Sequence, residues 1–93
     1  MIVGLLSIEL HLSGARSLKD KRAVLRRLKD RIARLNVSVA EVAHQYLRQR
    51  AGLGVVTIAT DQEVAQRTLT SVVSEIERVE PGLLARSEVE WLR

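Results

Sequence analysis

"VSVAEVAHQYLRQRAGLGVVTIAT", Val37 to Thr60, is the stretch that decides the architecture. Its first part, Val37 to His44, is β-branched and alternating, which predicts a strand. Its last part, Ala51 to Thr60, is almost wholly apolar, which predicts a central strand. Only the polar connection "QYLRQR" separates them, too short to hold a helix, so two strands follow one another directly. Gly52 and Gly54 inside the second run predict a bulge or the close approach of another backbone.

Working outward, Ile2 to Leu12 reads as another strand. Ile2, Leu6, Ile8, Leu10 and Leu12 form one apolar face interrupted by Gly4, and the odd positions grade from Val3 and Leu5 to Ser7, Glu9 and His11. "SGA", Ser13 to Ala15, turns the chain. Ser17 followed by Asp20 fits a helix N-cap with an acidic third residue. Leu18, Leu25, Leu28, Ile32 and Leu35 then recur at helical spacing, with Asn36 as the stop. After Thr60, a capping box of Thr60 and Glu63 opens a second helix, with Val64, Ala65, Leu69, Val72, Val73, Ile76 and Val79 on its inner side. Pro81-Gly82 ends it, and "LLARSEVEWL" closes the chain as a strand with Val89 and Trp91 inward.

The order is β-α-β-β-α-β, an α+β ferredoxin-like fold over residues 1–93 as one domain. It pairs the first and third strands at the centre of a four-stranded antiparallel sheet, with both helices on one face. Val3 and Leu5 look out from the other face, and a homodimer is one way to cover them.

Charge is distributed unevenly. From Arg16 to Arg34, nine Lys or Arg stand against Asp20 and Asp30, a local +7; the remaining six bases and nine acids give −3. A focused basic stripe of this kind steers anions toward one face. Twelve of the fifteen bases are Arg, a choice that a GC-rich genome also favours, so the stripe is weighed against a plain solvated helix face. Arg16, Lys19, Arg22, Arg26 and Lys29 sweep one flank of the helix, and Arg27, Asp30, Arg31 and Arg34 its outer side. Lys21 fits neither group. It falls inside the arc of leucines, where an unpaired ammonium costs several kcal/mol. Either it snorkels past the sheet edge or it pairs with Glu9 or Glu41 on a neighbouring strand.

Other chemistry finds little support. There are no cysteines, hence no disulfide, thiolate or Cys-based metal site, in keeping with a cytoplasmic address. "MIVGLLSIEL" lacks a basic start and carries Glu9, so it is not read as a signal peptide, and no apolar run is long enough to cross a membrane. His11 and His44 stand near strand ends without metal-ligand spacing, so no metal or cofactor is expected. "SGARS" does not resemble the phosphate loop that acylphosphatases carry on this fold, and "GLG" lacks the Lys-Ser/Thr of a P-loop. Tyr46 and Trp91 are the only aromatics and neither falls on a central strand, which excludes RRM-type base stacking.

The blocks "GARSLKDKR", "NVSVAEVAHQ", "QRAGLGV" and the "TD" before the second helix resemble the YlxP-like family of small bacterial proteins of unknown function. The resemblance covers about four-fifths of the chain, from the first strand through the second helix. It implies a ferredoxin-like domain in the bacterial cytoplasm. Genes of that family often lie beside those for initiation-factor and ribosome-maturation proteins, which implies an RNA or ribosome partner. Family-like positions are Arg16 to Arg22, Glu41, His44, Gln45 and Arg50. An aromatic, often Trp, is common where this chain has Arg48.

The functional expectation is a non-catalytic module binding structured RNA or a ribosomal particle. Its candidate residues are Arg16, Lys19, Lys21, Arg22, Arg26 and Arg27 on the helix, and His44, Gln45, Arg48 and Arg50 in the loop. The alternative is a self-associating protein-interaction domain. A third reading, an enzyme of small anionic substrates, requires one pocket joining Lys21, His44 and Arg50.

Overall fold

The computed structural model describes residues 1–93. Its elements are β1 (Ile2–His11), α1 (Leu18–Ile32) extended by a 3-10 turn (Ala33–Leu35), β2 (Ser38–Ala43), β3 (Arg50–Ala59), α2 (Gln62–Val79) and β4 (Leu84–Trp91). The strands lie in the order β2-β3-β1-β4, every neighbouring pair antiparallel, so β1 and β3 are central as expected.

Parity along the strands separates the two faces. On β1, Gly4, Leu6, Ile8 and Leu10 are buried beneath the helices, opposite Thr57, Val55, Leu53 and Ala51 of β3. Leu25, Leu28 and Ile32 of α1 and Leu69, Val72 and Ile76 of α2 close this core from above. The opposite face carries Val3, Leu5, Ser7 and Glu9, opposite Ile58, Val56, Gly54 and Gly52, and stays open. Trp91 and Val89 point to the helix side, being opposite Gly4 and Leu6, but β4 is an edge strand, so Val89 remains 39% exposed. Gly4 makes room for the indole: a Cβ there would lie 2.7 Å from Trp91 Cζ3.

Local chemistry sets the ends of the helices. Ser17, with extended backbone (φ −154°, ψ 166°), accepts a hydrogen bond from Asp20 N through Oγ at 3.1 Å. Asp20 Oδ2 in turn accepts from Arg16 N at 3.0 Å, so each side chain satisfies a donor that the first turn would otherwise leave free. The α-helix proper is shorter than the leucine spacing predicts. It gives way at Ala33 to the 3-10 turn and ends at Asn36 in the left-handed region (φ 62°, ψ 49°), an Asn-tolerant conformation. The cap of α2 is Asp61 rather than Thr60: Asp61 Oδ1 accepts from Val64 N at 2.9 Å. Thr60 and Asp61 are both good caps by type; the extended backbone at Asp61 (φ −141°, ψ 163°) decides between them.

A bulge bends β2 between Glu41 and Ala43, where the pairing with β3 shifts register. Gly52 lies opposite, and a Cβ on it would stand 2.8 Å from that of Ala43. The glycine therefore permits the bulge on its neighbour, and the bulge directs the chain out of the sheet at His44.

Candidate functional site

Lys21 organises the end of the molecule where β2 leaves the sheet. It is 1% exposed, within the stripe of Leu25, Leu28 and Ile32 on α1. Its Nζ donates to His44 O and Leu47 O, both at 2.7 Å, and lies 2.8 Å from Glu41 Oε2. The carboxylate contact is off the hydrogen-bond directions, making it an ion pair rather than an aligned bond. Two carbonyls accept from the ammonium and the Glu41 carboxylate supplies counter-charge beside it, so the buried lysine is both hydrogen-bonded and paired. Lys21 does not snorkel. Of its two candidate partners it takes Glu41, on the helix face opposite Leu53; Glu9 faces the other side of the sheet.

The loop that Lys21 holds is tied down elsewhere too. Leu47 N donates to His44 O at 3.0 Å, closing a turn, and Leu12 N donates to Gln49 O at 2.9 Å. Gln49 Nε2 reaches Ser13 O and Ala15 O at 3.3 and 3.2 Å, and Arg48 Nη1 donates to Arg16 O at 3.2 Å. Residues 44–50 are therefore fastened to the turn that precedes α1, and two basic segments distant in sequence become one surface.

The candidate residues separate into three groups. Arg16, Lys19, Arg22 and Arg26 lie exposed along the flank of α1, with Gln45 and Arg48 exposed in the adjoining loop. Arg22, Arg26, Lys29 and Leu25 line a hollow of about 240 Å³ against Glu41. Arg27 belongs elsewhere. Its Nη2 meets Glu80 Oε1 at 2.9 Å, and Arg31 Nη1 approaches Glu75 Oε1 at 3.8 Å, so the outer side of α1 is paired with α2 and its C-cap residue. His44 and Arg50 form the third group, on the open face: His44 Nε2 lies 3.2 Å from Glu9 Oε1, and Arg50 Nη2 lies 3.7 Å from Glu9 Oε2.

Two expectations are corrected by this geometry. Lys21 is sealed beneath the loop with its ammonium already surrounded, so it positions the basic surface and does not face a polyanion. The pocket of Lys21, His44 and Arg50 needed by the enzyme reading is not formed, because the ammonium lies on the helix side while the imidazole and guanidinium converge on Glu9 across the sheet. His44 itself has a left-handed backbone (φ 61°). Sequence reasoning missed Gln49 and the Glu9–His44 contact; both depend on approaches across more than thirty residues that no local pattern announces.

The described residues contain no group of three or more His, Cys, Asp or Glu side chains suited to a metal ion. No helix is long and apolar enough to cross a membrane. A hydrogen bond from Arg78 holds the Glu75 carboxyl below its ordinary value against a smaller desolvation effect, and Arg31 and Arg34 add attraction.

The fold and the site define a small ferredoxin-like domain in which a buried lysine fastens a cationic loop to a cationic helix. Within that class the chain belongs to the family described as "Protein of unknown function (DUF503)", whose model matches residues 3–89. It is 29% identical over 91 residues to the uncharacterized protein YlxP of Bacillus subtilis (strain 168), covering 97% of this chain and 99% of that one. The YlxP-like resemblance is thereby established. Among solved structures, the de novo designed ferredoxin-fold protein LFR1 is similar with a TM-score of 0.63 at 10% identity, over 100% of this chain and 87% of that one. SnoaB, a cofactor-independent oxygenase from Streptomyces nogalater, is similar with a TM-score of 0.55 at 14% identity, over 99% and 91% respectively. At such identities these two likenesses concern the fold.

Proposed function

We propose that the domain is a non-catalytic binding module that docks on structured RNA or a ribosomal particle in the cytoplasm. The observation that carries this reading is the convergence of two basic segments: Arg48 is hydrogen-bonded to the backbone of Arg16, extending the flank of Arg16, Lys19, Arg22 and Arg26 without a break. None of these five cations forms an ion pair within the chain, whereas Arg27 and Arg31 do. Fifteen helical residues span about 22 Å at ~1.5 Å each, enough to meet successive phosphates. Engaging about five of them gives a slope of log K against log salt of roughly −3.5 to −4.5.

The test is co-sedimentation with ribosomal particles and total RNA at low salt, comparing the wild type with R22E/R26E. The double variant loses binding, and R27E, whose charge is already committed to Glu80, loses less. Unaltered sedimentation of R22E/R26E overturns the reading.

A second reading, self-association through the open face, is supported by Val42, Val56 and Ile58, which are 60%, 37% and 55% exposed there. Four strands of up to ten residues make a face of about 600 Å², roughly 1,200 Å² in a pair, the lower bound of stable interfaces. Ile58→Lys abolishes such a homodimer in sedimentation velocity; a monomeric wild type at high micromolar concentration removes the reading.

A further inference from the structure

We propose that Tyr46 is a base-stacking post, so that the site takes RNA carrying an unpaired nucleotide next to a helical segment. The inference rests on the RNA reading above and narrows it to a class of target.

Tyr46 is 90% exposed, the most exposed large apolar side chain in the protein. A ring that hydrates almost completely contributes little to folding, and here it is not on a loose segment. The residues on either side of it are fixed: Lys21 grips His44 O and Leu47 O, the His44–Leu47 turn is closed by its own backbone bond, and Gln49 holds the exit of the loop. The backbone beneath the ring is thus organised before any ligand arrives, which reduces the ordering cost of binding. The carbonyl of Leu47, one residue away, is bound by an α1 lysine, and Arg48, two residues away, is bound to Arg16. The loop that carries Tyr46 therefore lies beside the cationic flank of α1.

Each part then has a distinct task. Cations hold phosphates without regard to sequence or pairing. An exposed aromatic face takes a base only if that base is free to leave its neighbours, because paired bases are already stacked. Stacking one base on a protein ring changes affinity by about tenfold or more. Gln45, the residue before Tyr46, is exposed and its amide makes no hydrogen bond within the chain, whereas the amide of Gln49 is already committed to the protein backbone.

The test uses the full chain and two fluorescein-labelled RNAs with equal numbers of phosphates, a stem with an unpaired tetraloop and a blunt duplex, titrated by anisotropy at 50 mM salt. The wild type prefers the looped stem about tenfold. Y46A removes that preference and leaves duplex affinity unchanged, Y46F keeps it, and R22E/R26E weakens both RNAs together. Circular dichroism confirms that Y46A is folded. Equal, salt-dependent binding of both RNAs by the wild type overturns the stacking role and leaves the basic surface standing. Binding of neither RNA overturns both. A fall in duplex affinity for Y46A matching that for the looped stem makes Tyr46 structural and also overturns the role. Displacement by polyglutamate as effective as by RNA points to an acidic protein instead and overturns it likewise.

Discussion

Replacing Lys21 with Met keeps the length and volume of the side chain while deleting its charge, which isolates what the ammonium does. The variant leaves His44 O and Leu47 O without their donor and the Glu41 carboxylate without its counter-charge. Hydrogen bonds to a charged group contribute about 1.5–3 kcal/mol each, and removing one member of a buried ion pair costs about 3–5 kcal/mol in all. These are two descriptions of overlapping losses and do not add. Glu41 keeps 21% of its side-chain surface in water and so recovers some hydration, which sets the expectation near the lower end, about 3 kcal/mol. For a domain of this size that lowers Tm by roughly 12–24 °C. Urea denaturation followed by circular dichroism measures it directly. The double variant K21M/E41L removes the stranded carboxylate as well and recovers at least about 1 kcal/mol over K21M alone. A loss below about 1 kcal/mol for K21M, the size expected of a surface lysine, refutes the buried-anchor argument, as does a double variant less stable than the single one.

Other perturbations probe separate parts of the molecule. Gly4→Ala drives a methyl into the Trp91 ring and costs about 1–3 kcal/mol, seen as a lower urea midpoint together with altered tryptophan fluorescence. At Asn36 (φ 62°), Ala costs about 1 kcal/mol and Gly is nearly neutral, a contrast in melting temperature that tests the left-handed stop. The Glu75 carboxyl binds its proton less readily when folded, so its contribution is complete above the ordinary value of 4.5 and is lost as pH falls through the lowered folded value. The stability difference between wild type and E75Q therefore closes in strongly acidic urea titrations and is constant near neutrality.

The alternation on β1 and β2, the apolar run of β3 and the leucine spacing of α1 carried the topology, because burial imposes a pattern that survives in the residues themselves. Lys21 was conspicuous for the same reason: a charge inside an apolar arc must have a partner. Strand parity would also have separated Glu41 from Glu9, since even positions of β1 face the helices and Glu9 is odd. The pairing of Arg27 and Arg31 was not readable, because it depends on the angle at which α1 packs beside α2 and not on either helix alone. Nor was Gln49, which satisfies two backbone carbonyls across the molecule and has the same composition as any polar loop residue. Gly4 looked like an interruption of a strand and is a recess for an indole contributed 87 residues later.

The two edges of the sheet are guarded by different means. β4 presents Arg86, Glu88 and Glu90, charges that discourage another strand from pairing with it. β2, "SVAEVA", has no outward charge and no proline, and its Val42 is 60% exposed. Its protection is the bulge after Glu41 and the abrupt exit at His44, and both of those residues are held by Lys21 from below. A lysine that never reaches the surface therefore keeps a bare strand edge short and bent. Loss of that grip removes a restraint on the bent edge, so K21M is expected to associate strand to strand more readily as well as to unfold more easily, read by light scattering beside the urea transition.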